Sequence, residues 1–145
     1  MSCCKDYQKS KVYCWERLHM REGQWLEFAE IEPYVHAVWK ALGLKYPPLV
    51  ENFHAIYIYL VLVYRLTSAL PATGASHATI LHELAHALTC TVAGSTDKHG
   101  PEFVGIYMKL AAQHLGESLF KLWYTAEASG VAFNPAATPS INDVQ

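Results

Sequence analysis

Apolar residues recur three and four positions apart in four stretches of the chain, which is the spacing that places them on one face of an α-helix. Pro33 interrupts the first of these stretches, so a kink or two helices in series are expected there. Ser76 is predicted to cap the second helix, because its side-chain oxygen can accept a hydrogen bond from a free N–H group. The predicted helices span residues 24–42, 76–94, 102–115 and 117–129.

Two other stretches are rich in β-branched and aromatic residues and are predicted as strands. Residues 12–18, VYCWERL, alternate weakly between apolar and polar positions, and a strand or extended segment is expected. Residues 55–64, AIYIYLVLVY, are apolar on both faces, so this strand should be covered on both sides. They are too few to cross a bilayer, which takes a helix of about 20 residues. The pattern predicts an α+β fold with several helices packed on a small sheet.

The second predicted helix contains the sequence HELAHA, with histidines at positions 82 and 86. Residues four apart on a helix lie on the same face, with their Cβ atoms about 5–6 Å apart. Both imidazoles can therefore bind one metal ion at the usual Zn–N distance of about 2.0–2.1 Å. Glu83 flanks that face and can reach a water molecule on the metal. The arrangement is typical of zinc metalloproteases, in which the glutamate is the general base.

A catalytic zinc ion needs three protein ligands and one open position, so a third ligand is expected. Gly94 is suited to end the helix, and a short polar turn leads to His99 immediately before Gly100 and Pro101. His99 is therefore the favoured third ligand. Glu102 is the alternative, although a carboxylate in the first turn of a helix is already stabilised by the helix dipole. Glu102 is interpreted as a helix-start residue that can also accept a hydrogen bond from His99, and a role as a simple N-terminal charge is at least as well supported.

Together, HELAHA and the downstream HGPEF resemble the active-site signature of the SprT-like zinc metalloproteases, the family that includes Spartan. The resemblance covers residues 76–110, and the chain is also similar to small metallohydrolases of bacteria and phages that share this core. It implies a zincin-like minimal metalloprotease core whose HExxH helix carries Glu83 as the catalytic base. The zinc ligands that it implies are His82, His86 and His99. The implied substrate is a protein or a peptide.

The chain has 145 residues, enough for one domain with an apolar core. We expect a single domain over residues 1–130. The following residues, 131–145, are rich in proline, alanine, serine and asparagine and are expected to be loosely ordered. The net charge of −2 and the lack of any block of lysine or arginine do not favour direct nucleic-acid binding.

The four cysteines, Cys3, Cys4, Cys14 and Cys90, form no Cys-x-x-Cys pair, so the zinc ribbon of several SprT-like proteins is not expected. The polar N-terminal stretch lacks the apolar segment of a secretory signal. We therefore expect a cytoplasmic protein, with association with a virion as the alternative.

The leading hypothesis is a zinc metallopeptidase in which Glu83 is the general base. Tyr107 and the tyrosines of residues 57–64 are candidate hydrogen-bond donors to the substrate oxyanion, and the sequence does not choose among them. A zinc hydrolase of another amide would use the same site. A third interpretation is a non-catalytic, zinc-stabilised component of a larger assembly, with residues 57–64 contacting a partner protein or a second copy.

Overall fold

The computed structural model describes residues 6–43, 75–89 and 99–138, which form five helices and one two-stranded sheet. This is an α+β fold, as predicted. The strands pair antiparallel, with Trp25 opposite Ser76 and Leu26 opposite Ala75. In chain order the elements are α1 (Lys9–His19), β1 (Trp25–Leu26), α2 (Phe28–Ala41), β2 (Ala75–Ser76), α3 (His77–Thr89), α4 (Pro101–His114) and α5 (Leu119–Ala128).

Residues 12–18 lie within helix α1, so the strand predicted for them is wrong. Val12 and Trp15 are fully buried, and their spacing of three residues places them on one helical face. The indole N–H of Trp15 donates a hydrogen bond of 2.9 Å to Oγ1 of Thr125 on α5. Packing of this face outweighs the strand preference of the β-branched and aromatic residues, because that preference depends strongly on context.

Helix α2 begins at Phe28, four residues later than predicted. Glu27 and Glu30 form a capping box, in which each side chain accepts a hydrogen bond from the backbone N–H of the other residue. Pro33 lies inside this helix. Gly43 follows its end with a φ of +75°, a backbone conformation that glycine adopts without strain.

The sheet fixes the start of helix α3, which carries the predicted metal-binding motif. The backbone N–H of His77 donates to the carbonyl of Gln24 at 3.0 Å, which satisfies one free donor of the first turn. The Ser76 hydroxyl accepts a hydrogen bond of 3.3 Å from the N–H of Thr79. Ser76 thus makes the hydrogen bond predicted for the N-cap of this helix.

Helices α3 and α4 form an antiparallel pair in the core. Near the end of α3, the ring of His86 stacks on the ring of Phe103, with their centroids 4.3 Å apart. Near its start, the carbonyl of Ala78 accepts a hydrogen bond of 3.3 Å from the Tyr107 hydroxyl. The predicted apolar faces are both buried: Ile80, Leu81, Leu84, Ala85 and Leu88 on α3, and Phe103, Ile106, Tyr107, Leu110 and Ala111 on α4.

The described part of the C-terminal segment, residues 131–138, packs on helix α4. Val131 and Ala137 are buried, and the N–H of Asn134 donates to the carbonyl of Pro101 at 3.0 Å. Gly105 permits this contact, because a Cβ atom at that position would collide with the carbonyl oxygen of Asn134. Backbone contacts with α4 therefore order this segment despite its few apolar residues.

Several sequence predictions concern residues outside those described, among them the strand of residues 55–64, Cys90 and the last part of the C-terminal segment. Within the described ranges, Cys14 is an exposed free thiol. No helix in these ranges combines the length and the apolar character that a membrane crossing requires.

Candidate metal centre

Three histidines converge where the end of α3 meets the start of α4. His82 and His86 lie one turn apart on α3, and His99 directly precedes Gly100, the N-cap of α4. One ring nitrogen from each histidine lies within 4.8 Å of the other two. The antiparallel packing of the helices produces this convergence, because it places the residue before α4 beside the C-terminal half of α3.

One pair of ring nitrogens in this cluster has the separation expected for a zinc site. Nε2 of His86 and Nε2 of His99 are 3.2 Å apart. Two nitrogens bound at about 2.0–2.1 Å to a tetrahedral ion are about 3.3 Å apart. Three imidazoles are also a donor set that zinc uses in catalytic sites. The residues therefore fit the metal that the sequence predicts.

Carboxylates lie within hydrogen-bond distance of Nδ1 in two of these three rings. Oδ2 of Asp6 lies 2.6 Å from Nδ1 of His99, and Oε2 of Glu16 lies 3.0 Å from Nδ1 of His82. A carboxylate beside Nδ1 favours the ring form that has its proton on that nitrogen, which leaves Nε2 able to bind a metal ion. Sequence reasoning missed both carboxylates. Asp6 is 93 residues from His99, and no local pattern connects them.

Gln8 fixes the backbone of His99. Its side chain is buried, and its amide nitrogen donates to the carbonyls of His99 at 2.6 Å and Ala132 at 3.1 Å. Its amide oxygen accepts a hydrogen bond of 3.0 Å from the N–H of Ala132. One side chain thus connects the N-terminal segment, the histidine cluster and the C-terminal segment.

Phe103 supports all three histidine rings from helix α4. Its centroid lies 4.3 Å from that of His86, 5.0 Å from that of His82 and 5.1 Å from that of His99, and the residue is fully buried. Tyr13 on α1 also contacts two of the rings, at 5.8 Å from His82 and 5.1 Å from His99, and is partly exposed. Aromatic packing therefore restricts the orientation of the histidines from α1 and from α4.

The predicted base, Glu83, is half-buried and lies in a cleft of about 450 Å³ that also contains His82. The cleft runs between α1, the sheet and α3, so it gives solvent and a ligand access to one side of the histidine cluster. Its lining residues are Tyr13, Glu16, Arg17, Met20, Glu22, Ser76, Ala78, Thr79, His82, Glu83 and Tyr107.

Tyr107 lies at the base of this cleft and remains a hydrogen-bond donor over the physiological pH range. Burial is the main cause that raises the pKa of Tyr107 well above its ordinary value, and the carboxylates of Glu16 and Glu83 add to this effect. Its hydroxyl donates to the carbonyl of Ala78, and its ring lies 5.4 Å from the ring of His82. The structure places this candidate donor next to the predicted base, while its role toward a substrate stays a prediction.

Glu102 is neither a member of the histidine cluster nor the carboxylate beside His99. Both of its carboxylate oxygens accept hydrogen bonds from the side-chain amide of Asn134, at 3.0 and 3.2 Å. Asp6 is the carboxylate that binds Nδ1 of His99. The expectation that Glu102 orients His99 is therefore wrong, and its carboxylate instead anchors the C-terminal segment to the first turn of α4.

No protein-family model, curated protein or solved structure matches the chain. The resemblance of HELAHA and HGPEF to the SprT-like metalloproteases accordingly stays a prediction from the sequence, and the described residues show an α+β fold whose three converging histidines are suited to bind a metal ion.

Proposed function

We propose that the protein is a zinc-dependent metallopeptidase of the SprT-like type, with a zincin-like core. The observation that carries this proposal is the convergence of His82, His86 and His99 within 4.8 Å beside a cleft that contains Glu83. When bound, a zinc ion held by three neutral imidazoles lowers the pKa of its water to about 7 and polarises a carbonyl group.

In the proposed reaction, Glu83 moves the proton. Its carboxylate accepts a proton from the attacking water and then delivers it to the nitrogen of the leaving amine, as the peptide C–N bond breaks. Glu83 follows His82 directly, so it lies about 100° further around the helix and can face the cleft while the histidine faces the cluster. Glu83 lines the cleft and is only half-buried, so its carboxylate is open to a water molecule that enters there.

A peptide suits the cleft. Its volume of about 450 Å³ lies within the range usual for ligand sites. The lining combines apolar groups, such as Met20 and the ring of Tyr13, with the charged groups of Arg17 and Glu22. A hydrolase of another amide would use the same groups, and substrate screening separates the two activities.

The test combines metal analysis with a peptide-cleavage assay on a peptide library of mixed sequence. We expect the wild-type protein to bind one zinc ion and to cleave peptides. Glu83→Gln should keep the metal and lose cleavage by about 10²–10⁴-fold, the usual contribution of a general base. His86→Ala should lose both, and Glu127→Gln, at an exposed position on α5, is the matched control that should keep both. Cleavage at the wild-type rate by Glu83→Gln contradicts the assignment of the base.

A non-catalytic, zinc-stabilised component of an assembly is the competing interpretation. A structural zinc site has four protein ligands, whereas the cluster found in the described part of the chain has three. Zinc binding without cleavage of any peptide in the library would favour this alternative. Light scattering would then measure whether the protein associates with itself, as the apolar sequence of residues 57–64 suggests.

A further inference from the structure

We infer that Asp6 and Glu16 are positioning residues that prepare His99 and His82 for zinc, so that the N-terminal segment and helix α1 form part of the metal centre. The inference rests on the metal site proposed above and extends that site to two residues that are not themselves metal ligands. Its basis is the pair of hydrogen bonds of 2.6 Å and 3.0 Å to the Nδ1 atoms of these rings.

The first step of the argument concerns the position of one proton on each ring. A neutral imidazole carries its proton on either nitrogen, and only the other nitrogen can bind a metal. A carboxylate beside Nδ1 holds the proton there, which leaves the lone pair on Nε2. Nε2 of His99 is the atom that lies 3.2 Å from Nε2 of His86. Asp6 therefore selects the form of His99 whose free nitrogen points at the cluster.

The second step is that both carboxylates are held in place. Glu16 follows Trp15, which is fully buried and bonded to Thr125. Asp6 lies two residues before Gln8, whose buried amide is bonded to the carbonyl of His99 itself. The two side chains are only about one-fifth exposed. Rigid placement of this kind lets a carboxylate orient a ring without losing much side-chain freedom on binding.

The third step concerns the electrostatic cost of the arrangement. Oδ1 of Asp6 is buried and has no hydrogen-bond partner among the described residues. A buried, unsatisfied carboxylate oxygen destabilises the folded protein unless a nearby positive charge compensates it. Asp6 contacts His99, so a divalent cation bound by the histidine cluster would lie close to this carboxylate and offset the cost.

The test measures zinc affinity by competition with a chelating dye. Asp6→Asn and Glu16→Gln keep the shape of each side chain and remove its charge. Each should weaken zinc binding by about 10–100-fold, the usual effect of removing such a carboxylate. Glu127→Gln makes the same chemical change at an exposed position on α5 and should bind zinc as the wild type does. Affinities of both variants within about twofold of the wild type would overturn the inference, since that is well below the expected effect.

A second measurement does not depend on the variants folding. The ¹⁵N chemical shifts of the imidazoles in the metal-free wild-type protein report which nitrogen carries the proton. We expect the Nδ1–H form for His82 and His99, and the Nε2–H form at both rings would overturn the inference. A wild-type protein that binds no zinc contradicts the proposed function, whereas a zinc-binding wild type with unaltered variants contradicts only the positioning role.

Discussion

The helix pair α3–α4 carries histidines at both of its ends, and the two groups are built differently. The histidine cluster, His82, His86 and His99, lies near the end of α3 and the start of α4. His77 and His114, here called the terminal pair, lie at the start of α3 and the end of α4. The antiparallel packing brings the members of each group together, so proximity alone does not distinguish them.

The partners of the ring nitrogens distinguish the two groups. In the histidine cluster, carboxylates bind two of the Nδ1 atoms. In the terminal pair, Nδ1 of His77 instead accepts the backbone N–H of Gln24 at 3.3 Å, and its ring stacks on Tyr34 at 4.5 Å. Nε2 of His114 is buried and has no partner among the described residues. Carboxylates behind converging rings are the arrangement expected of a metal site, whereas His77 makes a backbone hydrogen bond and a ring stack.

The largest difference expected between the two groups is in zinc binding. His99→Ala removes one of three converging nitrogens, so we expect the purified variant to lose its bound zinc. His114→Ala, in the terminal pair, should keep the wild-type amount. Elemental analysis after dialysis measures both, and circular dichroism checks that each variant is folded. Zinc at the wild-type level in His99→Ala would contradict the assignment of this residue as a ligand.

A smaller but general effect is expected on stability. Phe103 is fully buried against all three rings of the histidine cluster, so Phe103→Ala should reduce the free energy of unfolding by about 3–5 kcal/mol. Leu115→Ala is the counterpart beside the terminal pair, where the residue is only partly buried and the loss should be smaller. Urea unfolding in the presence of a chelator measures both without a contribution from the metal. Equal losses would show that the two ends are packed alike.

The smallest effect expected is on the pH dependence of stability. Burial, with a further contribution from His77, lowers the pKa of His114 below its ordinary value of 6.5. As the pH falls below that value, the unfolded chain binds a proton at this residue more readily than the folded protein, so the free energy of unfolding decreases. His114→Gln removes this contribution and should lose less stability than the wild type between about pH 7.5 and pH 5.

Thermal unfolding at several pH values measures this difference. His36→Gln makes the same substitution at an exposed position on α2 and controls for the chemical change itself. A His114→Gln variant that loses as much stability as the wild type would show that this histidine contributes nothing to acid sensitivity.

Local patterns were sufficient to predict the central helices. The apolar faces of α3 and α4 repeat at helical spacing, and the Gly-Pro pair at 100–101 marks the start of α4. The same patterns predict a short polar turn before His99, and this prediction placed His99 beside the HELAHA helix. The convergence of the three histidines follows from these local features together with antiparallel packing.

The remaining parts depend on contacts between distant residues. Residues 12–18 of α1 resemble a strand or extended segment in sequence, because only Val12 and Trp15 among these seven residues form the buried face and the helical periodicity is weak. Each strand of the sheet has only two residues, too few for any pattern. The bonds of Asp6 and Gln8 to His99 join residues more than ninety positions apart, so only the folded chain reveals them.

The absence of a side chain at Gly105 has a consequence for mutational scanning. A methyl group there would push residues 131–138 away from α4, since the carbonyl of Asn134 occupies that space. Ala132, in the same segment, shares the Gln8 amide with His99. A mutational scan that selects for activity would therefore find position 105 as intolerant of substitution as the histidines. The residues nearest to Gly105 are nevertheless Asn134 and Ala137, and a change there reaches the histidines only through backbone contacts.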